Sequence, residues 1–98
     1  IDSHLPKEFK LYHNFPNPFN PVTNIQFQLP KISNVNLMIY DLKGCEVRNL
    51  LQQEMKPGLH TISWDGKDNR GKLVSSGVYF YTLKAGNYKH TEKMIFLR

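Results

Sequence analysis

The strongest restriction on this chain is a period-2 alternation of apolar and polar residues that recurs between turn signals along its length. Strands place successive side chains on opposite faces, whereas helices repeat every 3.6 residues. Phe9 and Leu11 alternate ahead of a proline-rich stretch, and Ile25, Phe27 and Leu29 follow it until Pro30 ends the run. In NVNLMIYDLKG, Val35, Leu37 and Ile39 share one face and Asn36, Met38 and Tyr40 the other, with a turn over Asp41 to Gly44. The return strand is predicted from Cys45 to Leu51. NLLQQEMK, residues 49 to 56, has some helical character, but Pro57 and Gly58 stop it within about two turns, so it reads as strand end plus loop. His60, Ile62 and Trp64 share a face of HTISW. After Gly77, VYFYTL sets Tyr79, Tyr81 and Leu83 against Val78 and Phe80, and with both sides apolar it is expected to be a central strand. A turn at Ala85-Gly86-Asn87 then sends YKHTEKMIFLR back as a last strand reaching the final residue.

About seven strands at roughly 10-residue spacing predict an all-β fold, an immunoglobulin-like antiparallel β-sandwich, with a small Greek-key barrel as the alternative. A length of 98 residues suits one domain with one core. No apolar run approaches a membrane span. The chain opens on Ile1 without a signal-type segment, which predicts a piece of a longer protein whose export signal has been removed or lies upstream. Cys45 is alone, so packing and not an intramolecular disulfide must hold the framework.

The stretch NFPNPFNPVTNIQFQLP, residues 14 to 30, is unusually stiff. Pro16, Pro18 and Pro21 fix their own φ and push the residues before them toward extended geometry. Asn14, Asn17 and Asn20 can fold their amides onto nearby main-chain groups. The stretch is therefore expected to be an ordered loop with Phe15 or Phe19 buried. Gly44, in the turn after Lys43, and Gly77, where Ser75-Ser76 enters the central strand, are expected to be backbone requirements with positive φ.

Catalytic and metal chemistry find little support. His4, His13, His60 and His90 are scattered and none has zinc-site spacing. DGKDNRG, residues 65 to 71, carries Asp65, Asp68 and Asn69 but lacks the later bidentate glutamate of a calcium loop, and Lys67 and Arg70 intrude; it reads as a loop with Asx-turns. Ser75 and Ser76 lack a nucleophile elbow, and Cys45 has no assignable base. Glu46, Glu54 and Glu92 read as solvent-facing, so no carboxylate pair forms. Tyr40, Trp64 and Tyr88 are the residues of a conceivable aromatic binding face. A net charge of +5 favours acidic partners. Lys67, Arg70 and Lys72, with Lys84, Lys89, Lys93 and Arg98, form no basic run and read as a solvated surface. No enzyme activity, cofactor, metal or nucleic acid is expected.

The motif order is more specific than any part of it. Leu5-Pro6, Phe9-x-Leu11, Asn14 to Pro21 with Thr23 and Ile25, and Val35-x-Leu37-x-Ile39-Tyr40-Asp41-Leu42-x-Gly44 come first. Then follow Pro57-Gly58-x-His60, Trp64-Asp65-Gly66-x-Asp68-x-x-Gly71, Ser76-Gly77-Val78-Tyr79-Phe80-Tyr81-x-Leu83 and Lys93-Met94. This order, over nearly the whole chain, resembles the type A C-terminal sorting domain of the bacterial type IX secretion system, a group that overlaps with the immunoglobulin-like domain of flagellar hook-cap proteins. Cys45 departs from the arginine or lysine common after the glycine. The resemblance implies one sorting domain over 1–98, with 1–13 joining an N-terminal cargo and supplying the first strand. It implies an outer-membrane translocon and its signal peptidase as partners, with anionic lipopolysaccharide as a further one, and a secreted or cell-surface location reached through the periplasm. Asn14, Pro16, Asn17, Pro18, Phe19, Asn20 and Pro21 would form the joint with the cargo, Phe15 and Phe19 pinning it to the sandwich. Tyr79 and Met94 belong to the same motifs. Lys89, Lys93 and Arg98 would border a last strand whose edge a receptor reads. The alternative is a structural or adhesive module of hook-cap or cell-surface type.

Overall fold

The computed structural model describes residues 5–98. Its strands are β1 (Lys10–Leu11), β2 (Thr23–Leu29), β3 (Ser33–Asp41), β4 (Glu46–Met55), β5 (Gly58–Trp64), β6 (Gly77–Ala85) and β7 (Tyr88–Phe96). They pair antiparallel in two sheets, ordered β1-β2-β5 and β4-β3-β6-β7. No helix occurs among the described residues. This is the immunoglobulin-like β-sandwich that the alternation predicts.

Alternation also sets the core. Ile25, Phe27 and Leu29 of β2 face Val35, Leu37 and Ile39 of β3, Tyr81 and Leu83 of β6, and Met94 and Phe96 of β7 across the interior, all buried. Their intervening neighbours reach water or the outer face. β6 lies between β3 and β7, as a strand apolar on both sides should. One end of the interior is aromatic, with Trp64 packed edge-on against Tyr79 at 5.5 Å between ring centres.

Three boundaries differ from the sequence reading. β4 continues to Met55, because it pairs with β3 as far as Ser33↔Met55 and this ladder overrides any helical tendency. Its register shifts twice against β3, between Leu37/Met38 and Ile39/Tyr40, which breaks the period-2 pattern that would have announced the strand. β7 ends at Phe96, short of the final residue. The first strand is only Lys10–Leu11; of the segment expected over 1–13, residues 1–4, His4 included, lie outside the described residues. The aromatic face of Tyr40, Trp64 and Tyr88 does not form. Trp64 is wholly buried, and its Nε1–H donates to the Lys67 carbonyl at 2.9 Å.

Gly44 and Gly66 separate two reasons for glycine. Gly44 has φ +86° with open space where a Cβ would stand, so only backbone strain forbids a side chain. Gly66 has φ +75°, and an added Cβ would lie 3.0 Å from Cζ of the buried Phe96 ring. Gly44→Ala is expected to cost about 1–2 kcal/mol. Gly66→Ala should lose about 1–3 kcal/mol more through overpacking. Denaturant unfolding of the two variants checks the order; equal losses would remove the packing argument.

Candidate functional site

The proline-rich segment crosses from one sheet to the other. It begins on the edge of β2, where Lys10 pairs with Gln28 and Leu11 with Phe27. Tyr12 N–H donates to the Gln26 carbonyl at 3.0 Å, and Phe15 and Asn24 exchange both main-chain bonds, at 3.0 and 2.9 Å. It then leaves that sheet and lies parallel to the end of β7. Phe19 N–H donates to the Ile95 carbonyl and the Phe19 carbonyl accepts Leu97 N–H, both at 3.0 Å. Asn17 Oδ1 accepts Ile95 N–H at 2.9 Å.

The sequence explains the route. A proline has no N–H, so Pro16, Pro18 and Pro21 stand exposed while the donors of Phe15 and Phe19 make the ladder bonds. Asn14 is buried at the crossing, its amide donating to Thr23 Oγ1 at 2.9 Å and to the Pro16 carbonyl at 3.2 Å. Thr23 Oγ1 donates to the same carbonyl at 2.8 Å. Asn20 and Pro21 are exposed and lead into β2. The Phe15–Pro16, Asn17–Pro18 and Asn20–Pro21 peptide bonds are cis.

Only one of the two phenylalanines pins the segment. Phe19 is 2% exposed, its ring 4.9 Å from Phe96 and 5.6 Å from Trp64. Phe15 is 77% exposed. It stands next to the inward-facing Asn14 in an extended, paired stretch, and so points outward.

The last strand has a divided outer edge. Because main-chain groups alternate sides along a strand, the outward bonds of Ile95 imply that Lys89, Thr91 and Lys93 also face away from β6. Those three have no main-chain partner on that side among the described residues. The edge is closed at Ile95 and Leu97, so only part of the last strand expected to offer its edge to a receptor is open. Met94 and Phe96 are buried, and Arg98 N–H donates to Ser76 Oγ at 2.8 Å. Lys89 and Lys93 are exposed. Tyr79 OH donates to the Ser75 carbonyl at 2.7 Å. Gly44 and Gly77 both have positive φ, +86° and +156°.

One cluster escaped the sequence reading. Glu92 is not solvent-facing: its side chain is 17% exposed, with His13 Nδ1 at 3.1 Å and His90 Nε2 at 2.6 Å. His13 meets Glu92 only because the leading segment runs beside β7, a contact no sequence spacing announces, whereas His90 is the same-face neighbour of Glu92 two residues away on β7. Among the described residues no group of three or more potential ligands is placed to hold a metal. The carboxylates of the 65–71 loop serve the loop itself. Asp68 Oδ1 accepts Arg70 and Lys72 N–H at 2.9 and 3.0 Å, and Asp65 Oδ1 accepts Lys67 N–H at 3.1 Å. The Lys72 N–H is the main cause holding the Asp68 carboxyl below its ordinary range. Asn69 reaches across to β4, its Oδ1 accepting Asn49 N–H at 2.9 Å.

This geometry defines an immunoglobulin-like domain whose leading segment stitches its two sheets together. The FlgD Ig-like domain family matches residues 17–89, and the chain belongs to that family. It is 36% identical over 63 residues to the basal-body rod modification proteins FlgD of Salmonella typhimurium and Salmonella typhi, a match covering 64% of this chain. The chain spans only about a quarter of those relatives, 27% of each. Among solved structures, dimeric latent PorU from Porphyromonas gingivalis is similar at TM-score 0.72 and 22% identity, over 99% of this chain and 10% of that one. PorZ, an essential surface component of the type IX secretion system of Porphyromonas gingivalis, is similar at TM-score 0.58 and 22% identity, over 90% of this chain and 11% of that one. These likenesses establish the fold, and the overlap with flagellar immunoglobulin-like domains suggested by the motif order is real.

Phe19→Ala is expected to cost about 3–5 kcal/mol. Phe15→Ala should stay within about 0.5 kcal/mol of the parent, as for other exposed side chains. Chemical denaturation distinguishes them, and a Phe19→Ala loss near that of Phe15→Ala would contradict the pinning role.

Burial pushes the Tyr81 hydroxyl well above its ordinary value of 10.0, outweighing the Asn14 main-chain bond that lowers it. The same hydroxyl donates to the Tyr12 carbonyl at 2.8 Å, tying β6 to the leading segment. A tyrosine raised in the folded state contributes stability that is complete below its unfolded value and lost above it. Unfolding free energy should therefore fall as pH rises past about 10. The fall should be shallower in Tyr81→Phe; identical pH profiles for the two proteins would contradict this.

Proposed function

We propose that this domain is a non-catalytic sorting module that directs an N-terminally attached cargo through the type IX outer-membrane translocon. The observation that carries the reading is the divided edge of β7. The leading segment closes its last part and leaves a short, lysine-bordered stretch over Lys89, Thr91 and Lys93 whose outward main-chain groups have no partner among the described residues. Such a stretch suits recognition by strand addition, with the lysines guiding the encounter. Phe9 stacks on Tyr88 at one end of β7, and Phe19 bridges Phe96 at the other. Cargo joined ahead of residue 5 would leave from the Tyr88 end, so the open stretch lies between the cargo and the closed end. The motif order and the fold likeness to PorZ support this reading. The system's signal peptidase and anionic lipopolysaccharide would be further partners, and the cargo would travel through the periplasm to the cell surface or beyond.

A second reading, a structural or adhesive module of a flagellar or surface protein, is favoured by membership of the FlgD Ig-like family. Fusing the domain behind a Sec-exported fluorescent protein, in a bacterium that has the type IX system, separates the two. Sorting predicts export of the folded fusion; periplasmic retention of intact, folded fusion would reject it in favour of the structural module. Thr91→Pro removes an outward N–H while keeping the main-chain ladder to β6, a position where proline is tolerated. It also loses the hydroxyl bonded to Thr82, so Thr91→Val, which loses that bond alone, is the control and should be exported. The proline variant should be retained while still folded. Export equal to the parent would show that the edge is not what the translocon reads.

A further inference from the structure

The outer face of the four-stranded sheet carries more chemistry than the fold uses: Asn49 Nδ2 donates to Gln52 Oε1 at 2.9 Å and the Thr82 and Thr91 hydroxyls share a bond at 2.7 Å, while the lysines of the face have no acidic partner among the described residues. Register places its outward side chains in rows across all four strands. One row is Gln52, Asn36, Lys84 and Lys89. The next is Asn49, Met38, Thr82 and Thr91, and the third is Glu46, Tyr40, Phe80 and Lys93.

Two features of this face work against the isolated domain. Lys84 and Lys89 are direct cross-strand partners, and like charges so placed repel. Lys93 stands on the same face, and no acidic side chain pairs with any of the three among the described residues. Tyr40 and Phe80, also direct partners, are half-buried rings on the same outer face. Beside Lys84 a shallow groove of about 350 Å³ is lined by Asn34, Asn36, Gln52 and Gln53.

We propose that this face binds a linear acidic polysaccharide. Sugar carboxylates would meet Lys84, Lys89 and Lys93, relieving their repulsion. Hydroxyls would find donors and acceptors in the Asn36 amide and the Gln52 amide nitrogen, whose oxygen already accepts Asn49 Nδ2, and the C–H face of a sugar ring would cover Tyr40 and Phe80. Charge places the ligand over β6 and β7, because the face's acidic groups, Glu46 and Glu54, sit on β4 at the far edge from β7. An acidic peptide fits less well. A peptide added as a strand to the open edge of β7 would lie beside the sheet and leave Tyr40 and Phe80, on β3 and β6, uncovered, whereas a ligand lying across the face reaches the rings and the lysines together. The proposal does not depend on the sorting function.

The test is calorimetric titration of the folded domain with polygalacturonate at low salt, with dextran as the neutral control and poly-glutamate as the acidic peptide. Polygalacturonate should bind, dextran should not, and poly-glutamate should bind more weakly. Lys84→Gln with Lys89→Gln should weaken polygalacturonate binding roughly tenfold or more, without loss of thermal stability, since a repulsive pair is removed. Phe80→Ala should weaken it severalfold at unchanged charge. Changing Lys31 and Lys56, exposed in loops elsewhere, to glutamine should leave affinity within about twofold of the parent. Three results would each overturn the proposal: no binding of polygalacturonate, poly-glutamate binding as tightly, or equal losses from the two lysine pairs.

Discussion

The two main-chain bonds joining Phe19 to β7, with the Phe19 ring driven into the aromatic end of the core, hold the open side of the sandwich together. A two-sheet fold leaves an edge of each sheet side by side, and here those edges belong to β1 and β7. A segment that pairs first with β2 and then with β7 crosses that gap in covalent continuity. Hydrogen bonds fix its register at both ends, and the buried Phe19 supplies about 1.5–3 kcal/mol of burial that the bonds alone would lack. The prolines limit the alternatives open to the unfolded segment, so less entropy is lost when it docks.

The same arrangement protects the molecule. An exposed, flat, apolar strand edge invites pairing with other chains, and the apolar end of β7, Met94 to Leu97, would be such an edge if it stood open. Asn17 and Phe19 cover it at Ile95 and Leu97. What remains open is bordered by Lys89 and Lys93, which oppose uncontrolled pairing. On the other edge of that sheet, the 65–71 loop performs a like service for β4. Asn69 N–H donates to the Val47 carbonyl at 3.0 Å, while its side chain takes Asn49 N–H.

How much of this the sequence disclosed follows from how local each feature is. β2, β3 and β6 were legible because each has an unbroken period-2 pattern with one side fully buried. β4 was half legible, since its register shifts put Leu50 and Leu51 in similar half-buried settings and erase the alternation. Prolines marked residues 14 to 21 as stiff but concealed that the stretch is sheet on both sides of a crossing. Nothing in their flanking residues separates Phe15 from Phe19. The distinction comes from Asn14, which takes the inward position and turns Phe15 out. The contact of Glu92 with His13 was invisible, because it depends on which two edges lie side by side.

If the leading segment closes the end of β7, amide protection must stop partway along that strand. Native-state hydrogen exchange, followed by NMR, reads this directly. The amides of Phe19, Ile95 and Leu97 should exchange only through global unfolding, while those of Lys89, Thr91 and Lys93 exchange orders of magnitude faster through local exposure. Exchange of Ile95 and Leu97 as rapid as that of Thr91 would mean that the segment does not close the edge, and the account of both fold and recognition would fail with it.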